Sequence, residues 1–313
     1  MSATADLYLG FSCADLLRTG QIERLAPTVF RRGQTLIVMR HHRGLAHLPE
    51  HSWLIYLIDD DWRGGLVDPS LPPLYRAKLL RDEAWAGLSL EKRADIIVTG
   101  SEYLSARYRT LRPDTPVVTM DPAWPDAAMP AVADVPRIAF LGAWSHRADF
   151  LFIRPVLEEL LETGAEFHLT VTANHPIPAC WKYDSRVEVV PALSWPDYRR
   201  WMAGRRFDIG LYPCLDGKFN AARSANKAQE YAQFGAALVA SQGWAGRHGL
   251  GPERCHSLPD CRQAWSDAVS GLIDAPNRIA ALAGENANEI RQQRPKAAQR
   301  DLWERLFDGG LCP

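Results

Sequence analysis

Two basic residues and one carboxylate lie close together in the stretch 218–240, KFNAARSANKAQEYAQFGAALVA. Arg223 comes just before a predicted helix that Ser224 is placed to cap. Lys227 and Glu230 follow Ser224 at successive spacings of three residues, so these side chains share one side of the helix. A helix N-terminus with nearby cations binds anions such as a diphosphate, and a carboxylate one turn deeper can accept hydrogen bonds from sugar hydroxyls. The alternative is a surface helix with an ordinary Lys–Glu pair.

A second polar group, GAWSHRAD at 142–149, follows the first predicted strand of the second half of the chain. Gly142 permits a tight turn at the end of that strand. His146 and Arg147 would then lie above the carboxyl end of the sheet, opposite the helix that carries Glu230. This position favours a binding role, and the alternative is a helix-capping loop with exposed basic residues.

Three consecutive aspartates, Asp59, Asp60 and Asp61, end a predicted buried strand. Carboxylates in this pattern can hold Mg²⁺ or Mn²⁺, but such residues also form solvated turns that cap the next segment. We expect a polar role facing a cleft without a metal, in which Asp60 or Asp61 orients a hydroxyl or acts as a base. His42 is a further candidate base. Its neighbour His41 would point the opposite way on an extended backbone, so the pair does not favour a shared ion.

Predicted strands and helices alternate along the whole chain, and these elements position the polar groups. In the first half we predict strands at 7–12, 35–40, 53–58, 95–99 and 116–120 and helices at 14–25, 74–93 and 101–111. In the second half we predict strands at 137–142, 167–173, 187–191, 208–213, 236–241 and 256–258. The helices there are predicted at 149–163, 196–203, 262–273 and 276–306, with a further helix from Ser224 that Gly235 ends.

Short apolar strands alternating with helices indicate βαβ units and parallel sheets. A stretch rich in proline and alanine at 120–136 predicts a linker between two domains. We therefore predict an α/β protein of two doubly wound, Rossmann-like domains that face each other across a cleft. The domains would span 1–130 and 131–285, and a helical tail at 286–313 could pack back on the first domain. Ligands of such sheets bind at the carboxyl ends of the strands.

The composition limits the class of function. The 313 residues include 36 basic and 37 acidic side chains, and this balance argues against a nucleic-acid partner. The sequence contains no Walker A, GxGxxG or GxSxG motif, which counts against kinase, ordinary dehydrogenase and serine hydrolase chemistry. Six cysteines without a CxxC pair, no leader peptide and no long apolar run predict a cytoplasmic protein without a metal or cofactor. Peripheral contact with the inner face of a membrane stays open.

The stretch RSANKAQEYAQFG and the strand AALVAS that follows resemble the S-x-x-K-x-x-E-Y-x-x-x-G-x-P-V-V-A-S element of GT-B glycosyltransferases. The resemblance is to the glycosyltransferase 4-like and group 1-like bacterial enzymes. RIAFLGAWSHRAD is similar to the strand and loop that open the same domain, and YLIDDDW and ADIIVTGSEYL resemble the acceptor half. The match covers most of the chain and is firm at 137–241.

This resemblance implies roles for individual residues. Glu230 would hydrogen-bond the ribose of a donor nucleotide, and Arg223 and Lys227 would neutralise its diphosphate. Ser224 or Asn226 would add polar contacts. Gly142, His146 and Arg147 belong to the loop near the phosphates or the sugar, and we expect them to form part of the donor site. One departure concerns Ala222, which stands where the first glutamate of the E-x7-E pair of retaining members is expected.

The sequence as a whole predicts a metal-independent glycosyltransferase that moves a sugar from a nucleotide diphosphate to an acceptor hydroxyl. The candidate catalytic residues are Asp60, Asp61, His42 and His146. The acceptor would be a glycan or a lipid-linked sugar of the bacterial surface, and no cofactor is expected beyond the nucleotide-sugar substrate. Two alternatives stay open: a catalytically silent nucleotide-sugar-binding protein, which Ala222 favours, and a sugar-nucleotide epimerase of the same fold.

Overall fold

Two sheets of six strands each form the framework of the molecule. The computed structural model describes residues 2–42, 45, 47–125, 133–172 and 174–308. The first sheet contains β1 (Glu23–Ala26), β2 (Val29–Arg32), β3 (Thr35–Met39), β4 (Trp53–Ile58), β5 (Ile96–Thr99) and β6 (Val117–Thr119). The second contains β7 (Arg137–Phe140), β8 (His168–Thr172), β9 (Val187–Val190), β10 (Ile209–Tyr212), β11 (Ala237–Ser241) and β12 (Cys255–Leu258). The predicted α/β class with two sheet domains is confirmed.

Helices connect most of these strands and cover the faces of the sheets. In the first half they are α1 (Ala3–Ala5), α2 (Ala14–Arg18), α3 (Trp62–Leu66), α4 (Pro73–Leu79), α5 (Trp85–Arg93) and α6 (Glu102–Leu111). In the second half they are α7 (Arg147–Glu162), α8 (Trp195–Met202), α9 (Asn226–Gln233), α10 (Gln242–Arg247), α11 (Arg262–Ile273), α12 (Pro276–Gln293) and α13 (Pro295–Phe307). None of the helices described here combines the length and the apolarity that crossing a membrane requires.

The first sheet has its strands in sequence order, from β1 to β6. Strands β3 to β6 are parallel, and β1 and β2 add an antiparallel ribbon at one edge. This ribbon was not predicted, and the helix expected at 14–25 ends at Arg18. The strand expected at 7–12 is also wrong, because Asp6–Gly10 forms a π-helical turn. A short apolar run such as LYLGF suits a buried helix as well as a strand, and the pattern alone does not separate them.

The two faces of the first sheet are covered by different parts of the chain. Right-handed crossovers between parallel strands in sequence order place their helices on one face. The other face packs against the N-terminal segment and against Trp303 and Leu306 of α13, all buried in one apolar cluster. The indole Nε1 of Trp303 donates to the Tyr8 carbonyl oxygen at 2.6 Å, and Gln299 donates to the Leu7 and Asp121 carbonyl oxygens. The C-terminal helix therefore completes the core of the first sheet.

The second sheet is fully parallel and has the order β12-β11-β10-β7-β8-β9. This is the doubly wound order, in which the direction of winding reverses between β7 and β10. Two apolar clusters, one on each face, bury the strands. Loops that follow β7 and β10 therefore diverge at their carboxyl ends and leave a crevice between them.

Several predicted boundaries change in detail. Helix α9 begins at Asn226 after Ala225, so Ser224 does not cap it. Gly235 has a φ of 72° and ends this helix as predicted. The predicted helix at 74–93 contains a π-helical turn at Leu80–Ala84, and the helix predicted at 276–306 divides at Arg294, whose φ is 47°. The domain boundary predicted near residue 130 lies in a part of the chain, 126–132, outside the described residues.

Candidate functional site

A cavity of about 390 Å³ lies between the carboxyl ends of the two sheets, and we call it the central cavity. The second half of the chain contributes predicted residues from α9 and from two loops: Gly142, His146, Arg223, Ser224, Asn226, Lys227 and Glu230. The first half contributes Asp60, a predicted candidate, and Asp59, which belongs to the aspartate run expected to face a cleft. It also contributes Arg40, Tyr75 and Thr4, which were not assigned to a site. The structure thus brings most of the predicted site residues into one cavity.

The ion pair between Lys227 and Glu230 forms the floor of the cavity on α9. The side chains are only 12% and 6% exposed, so this is not an exposed surface pair. Lys227 also donates to the Leu141 carbonyl oxygen at the end of β7. The Tyr198 hydroxyl on α8 donates to Glu230 Oε1 at 2.7 Å, and burial together with the Glu230 charge raises the pKa of Tyr198. Each Glu230 oxygen therefore has a donor that a ligand hydroxyl could replace.

Arg223 spans the cavity between the two halves of the chain. Its Nη1 donates to Asp60 Oδ1 at 3.0 Å and its Nη2 donates to Ser145 Oγ at 2.7 Å. The guanidinium lies over the Phe219 ring, 4.5 Å from its centre, and the side chain is 17% exposed. Burial lowers the pKa of Arg223, but the Asp60 carboxylate, together with Tyr212, Tyr75 and Cys214, raises it overall. The guanidinium is therefore a fixed cation at the centre of the cavity.

The loop after β7 places His146 against Asp149. The His146 Nδ1 and Asp149 Oδ2 atoms are 2.7 Å apart. Burial raises the pKa of Asp149 to about 7 and lowers the pKa of His146 well below its usual value. Gly142 allows this arrangement, since a Cβ there would lie 3.0 Å from the His146 Cβ and 3.0 Å from the Phe140 ring. The loop thus holds a buried imidazole with a defined partner next to Arg223.

The wall from the first sheet is a buried cluster of charges around Arg40. Arg40 Nη1 lies 3.0 Å from Asp60 Oδ2 and 3.6 Å from Asp59 Oδ1, and its Nη2 lies 2.8 Å from Glu83 Oε1. Burial alone would raise the pKa of Asp60, but Arg40 and Arg223 hold it below its usual value.

Asp59 behaves differently from its neighbour. Burial raises the pKa of Asp59 to about 6. Its Oδ2 accepts from Thr4 Oγ1 at 2.8 Å, whereas its buried Oδ1 has no hydrogen-bond partner among the described residues. This oxygen therefore remains able to accept a proton or a hydrogen bond from a ligand.

Three predicted site residues do not line the central cavity. Asp61 accepts from the Gly64 amide at 2.9 Å and so caps α3, and it also pairs with Arg107. This is the capping role that we gave as the alternative for the run of three aspartates. Arg147 is exposed on the first turn of α7. His42 follows the strand end but is not among the lining residues.

Ala222 is buried, at 1% exposure, in the apolar cluster of the first sheet. Its carbonyl oxygen accepts from Ser101 Oγ at 2.8 Å, a contact between the two halves of the chain. The position at which the sequence resemblance expects the first glutamate of the E-x7-E pair is therefore a packing position. Among the residues that the structure describes, no group of three or more His, Cys, Asp or Glu side chains is arranged to hold a metal ion.

No protein-family model and no curated protein sequence matches this chain. Solved structures do match in fold. S. aureus TarM in complex with fondaparinux, α-GlcNAc-glycerol and UDP aligns with a TM-score of 0.57 and 9% identity over 82% of this chain and 50% of that chain. Anabaena HepE in complex with UDP-glucose aligns with a TM-score of 0.54 and 13% identity over 82% of this chain and 72% of that chain.

The pneumococcal O-GlcNAc transferase GtfA, in complex with UDP and GlcNAc, aligns with a TM-score of 0.52 and 9% identity, covering 83% of this chain and 53% of that chain. The chain thus spans about half the length of two of these structures: 50% of the TarM chain and 53% of the GtfA chain. At such low identity the likeness establishes the fold. Two six-stranded α/β domains with a cavity between their carboxyl ends have the GT-B fold.

Proposed function

We propose that this protein is a glycosyltransferase that transfers a sugar from a nucleotide diphosphate to an acceptor hydroxyl. The observation that carries the proposal is the buried set of Arg223, Lys227 and Glu230 at the carboxyl ends of β7 and β10. Crevices at this reversal of winding are the usual ligand sites of doubly wound sheets. Two fixed cations beside the first turn of α9 suit a diphosphate, and the nearby carboxylate suits a ribose.

The cavity has separate surroundings for each part of such a donor. Arg223 and Lys227 would contact the diphosphate, and Glu230 would accept hydrogen bonds from ribose hydroxyls in place of Tyr198. The base would contact other lining residues of the second half, among which Leu193 and Asn174 offer an apolar and an amide group. The match with HepE, solved with UDP-glucose, supports this class of donor.

In the proposed reaction the diphosphate gains negative charge as it leaves the sugar. Fixed donors aimed at that charge lower the barrier without reorganising, and Arg223 is such a donor. On the opposite wall Asp60 already accepts from two arginines. Asp59 has a raised pKa, and its Oδ1, 3.6 Å from Arg40 Nη1, has no hydrogen-bond partner among the described residues. We therefore favour Asp59 over Asp60 for accepting the proton of the acceptor hydroxyl. The acceptor would be a glycan or a lipid-linked sugar of the bacterial surface.

A thermal shift screen tests the donor site. UDP, GDP, dTDP, ADP and CMP are compared with and without EDTA, and a nucleotide at ~100 times its dissociation constant should add roughly 2.7 kcal/mol of stability. Glu230→Gln should reduce the shift, whereas Glu162→Gln on the exposed end of α7 should leave it unchanged. A chain that responds to none of these nucleotides would contradict the proposal, and a response lost in EDTA would contradict metal independence.

A second candidate function is supported by Ala222. Alanine has no carboxylate, and its side chain here is packed in the core. This position therefore does not supply the cavity with the carboxylate that the E-x7-E pair would provide. A protein of this kind would bind the nucleotide sugar without turnover. Release of the nucleotide from the donor, with identification of any sugar product, separates the possibilities: transfer or hydrolysis supports the enzyme, an altered sugar nucleotide supports the epimerase, and binding without product supports the silent protein.

A further inference from the structure

The outward side of the helical segment Pro73–Arg93, which comprises α4, a π-helical turn and α5, carries several exposed large apolar side chains. Leu74 is 71% exposed, Leu80 49%, Trp85 73% and Leu88 38%. Single exposed apolar residues are ordinary, but a row of four along one helical segment is not. We call this side, with the basic residues named next, the outer face.

The exposed charges of the segment are all positive: Lys78, Arg81, Lys92 and Arg93. Its acidic residues are all buried: Asp82, Glu83 and Glu91. Each of these buried carboxylates is held by an arginine, from Arg81, Arg40 and Arg63 respectively. Glu83 and Glu91 are neutralised by arginines from outside the segment, and Arg81 is paired with Asp82. The outer face therefore presents the positive charges of Lys78, Lys92 and Arg93 to its surroundings.

Positions 74, 78, 81, 85, 88 and 92 succeed one another at spacings of four and three residues, and all six are exposed. Leucine and tryptophan therefore alternate with lysine and arginine among these exposed positions, from α4 through the π-helical turn to α5. Tryptophan favours the boundary between lipid headgroups and acyl chains, and basic side chains extend from there to the phosphates. Protein interfaces, in contrast, are depleted in lysine at their centres.

We propose that the outer face binds the surface of an anionic lipid bilayer. The apolar side chains enter the headgroup boundary while the helical segment lies parallel to the membrane, and the basic side chains contact lipid phosphates. The inner side of the same segment forms part of the central cavity, where Tyr75 lines the wall and Glu83 binds Arg40. Under the proposed function, which this last step requires, an acceptor carried by a membrane lipid would reach the cavity beside the segment.

Vesicle flotation tests the outer face directly. The full chain should float with vesicles of phosphatidylcholine and phosphatidylglycerol, should bind vesicles of phosphatidylcholine alone more weakly, and should be released as the salt concentration rises. Failure to float with the anionic vesicles overturns the proposal. Equal binding to both kinds of vesicle at all salt concentrations overturns the charge argument.

Two substitutions separate the apolar and basic contributions. Trp85→Ser should weaken vesicle binding about tenfold, because a buried aromatic side chain is lost from the lipid. The double substitution Lys78→Glu and Lys92→Glu should weaken binding at least about twentyfold, since each basic residue contributes about fivefold. Matched controls lie in the second half of the chain: Tyr183→Ser, at a tyrosine 90% exposed, and Lys182→Glu, at an exposed lysine, should both bind like the native chain.

The nucleotide response makes this test independent of the proposed donor site. Loss of flotation in Trp85→Ser with a native nucleotide shift supports the outer face, and native flotation in that variant overturns it. A nucleotide-unresponsive chain that still floats would contradict the donor site and leave the membrane proposal supported. A chain that forms dimers which Trp85→Ser dissociates would show that a second copy, and not a bilayer, covers this face.

Discussion

The two walls of the central cavity differ in how their charged residues are assembled. The wall from the second sheet takes Lys227 and Glu230 from one turn of α9. Its His146 comes from the loop before α7 and its Asp149 from the first turn of α7. The wall from the first sheet gathers its charges from separate places in the sequence around Arg40. The close charged pairs of the second wall are therefore formed by neighbours in the sequence, whereas those of the first wall form only in the completed fold.

The walls also differ in charge. In the second wall Lys227 pairs with Glu230, and Arg223 adds a further cation. In the first wall Arg40 lies beside three carboxylates, Asp59, Asp60 and Glu83. The second wall is thus suited to an anionic ligand, and the first to a hydroxyl or a cation. The ion pair between Arg223 and Asp60 joins the walls, so each wall supplies part of the other's neutralising charge.

The largest expected effect concerns the stability of the first wall. Arg40→Ala leaves the buried carboxylates around it without their shared cation, and breaking such a set should lower the free energy of unfolding by about 3 kcal/mol. Urea denaturation measures the change. Arg200→Ala, which removes an arginine that is 80% exposed, is the control and should cost less than about 0.5 kcal/mol. Equal effects of the two substitutions would show that the Arg40 cluster does not hold this wall together.

The next effect concerns ligand binding by the second wall. Arg223→Ala should weaken nucleotide diphosphate binding roughly ten- to a hundredfold, the effect of losing hydrogen bonds from a charged group. Titration calorimetry with the nucleotide found in the screen measures this change. Arg40→Ala, if the variant folds, should alter binding much less because Arg40 belongs to the opposite wall. A larger loss from Arg40→Ala than from Arg223→Ala would reverse the assignment of the walls.

The His146–Asp149 pair predicts a pH dependence within the second wall. Burial raises the pKa of Asp149 from 3.8 to about 7, so the folded chain binds more protons there than the unfolded chain does over that interval. Burial lowers the pKa of His146 below 6.5, so the folded chain binds fewer protons there below that pH. The first effect lowers stability as pH rises and the second lowers stability as pH falls, and in the native chain they oppose each other.

Single substitutions should uncover each effect. Asp149→Asn leaves His146 alone, and its unfolding free energy should fall as pH drops below 6.5, by up to about 1.4 kcal/mol per pH unit. His146→Asn leaves Asp149 alone, and its unfolding free energy should fall as pH rises from about 4 towards 7. Denaturation at several pH values measures both slopes. Slopes of the same sign would contradict the paired arrangement.

The smallest expected effect concerns Tyr198, which joins α8 to the second wall. Its hydroxyl occupies Glu230 Oε1 at 2.7 Å, where we propose that a ribose hydroxyl binds. Tyr198→Phe removes this competitor, and nucleotide binding should become a few-fold tighter, as expected for one hydrogen bond of about 1 kcal/mol. Calorimetry measures the change, and Trp201→Phe on the same helix is the control. Weaker binding in Tyr198→Phe would show that the tyrosine holds Glu230 in place for the ligand.

Sequence patterns predicted the second wall well because its residues lie on elements with regular periodicity. Lys227 and Glu230 are three residues apart on a helix, and this spacing alone places them together. The strands of the second sheet are short, apolar and separated by clear helices, so their assignment followed from the pattern. Gly235 was correctly predicted to end α9, since its positive φ suits glycine.

The first wall could not be predicted in the same way. Arg40 has a φ of 63° at the end of β3, a conformation that no local pattern requires of an arginine. Asp60 of this wall pairs with Arg223, which is 163 positions away in the sequence. Asp61 and His42 lie near strand ends, which predicts a place in the site, but neither side chain lines the central cavity. Which of the neighbouring polar residues faces the cavity is decided by the turn that follows each strand.

The path of the chain limits how the two sheets can move relative to each other. The chain leaves the first sheet after β6 and enters the second at β7, and it returns through Arg294, between α12 on the second sheet and α13 on the first. The two sheets are therefore joined at two separate points along the chain. A movement that opened the central cavity would have to preserve both connections. Arg294, with its left-handed backbone, lies at the second of these connections.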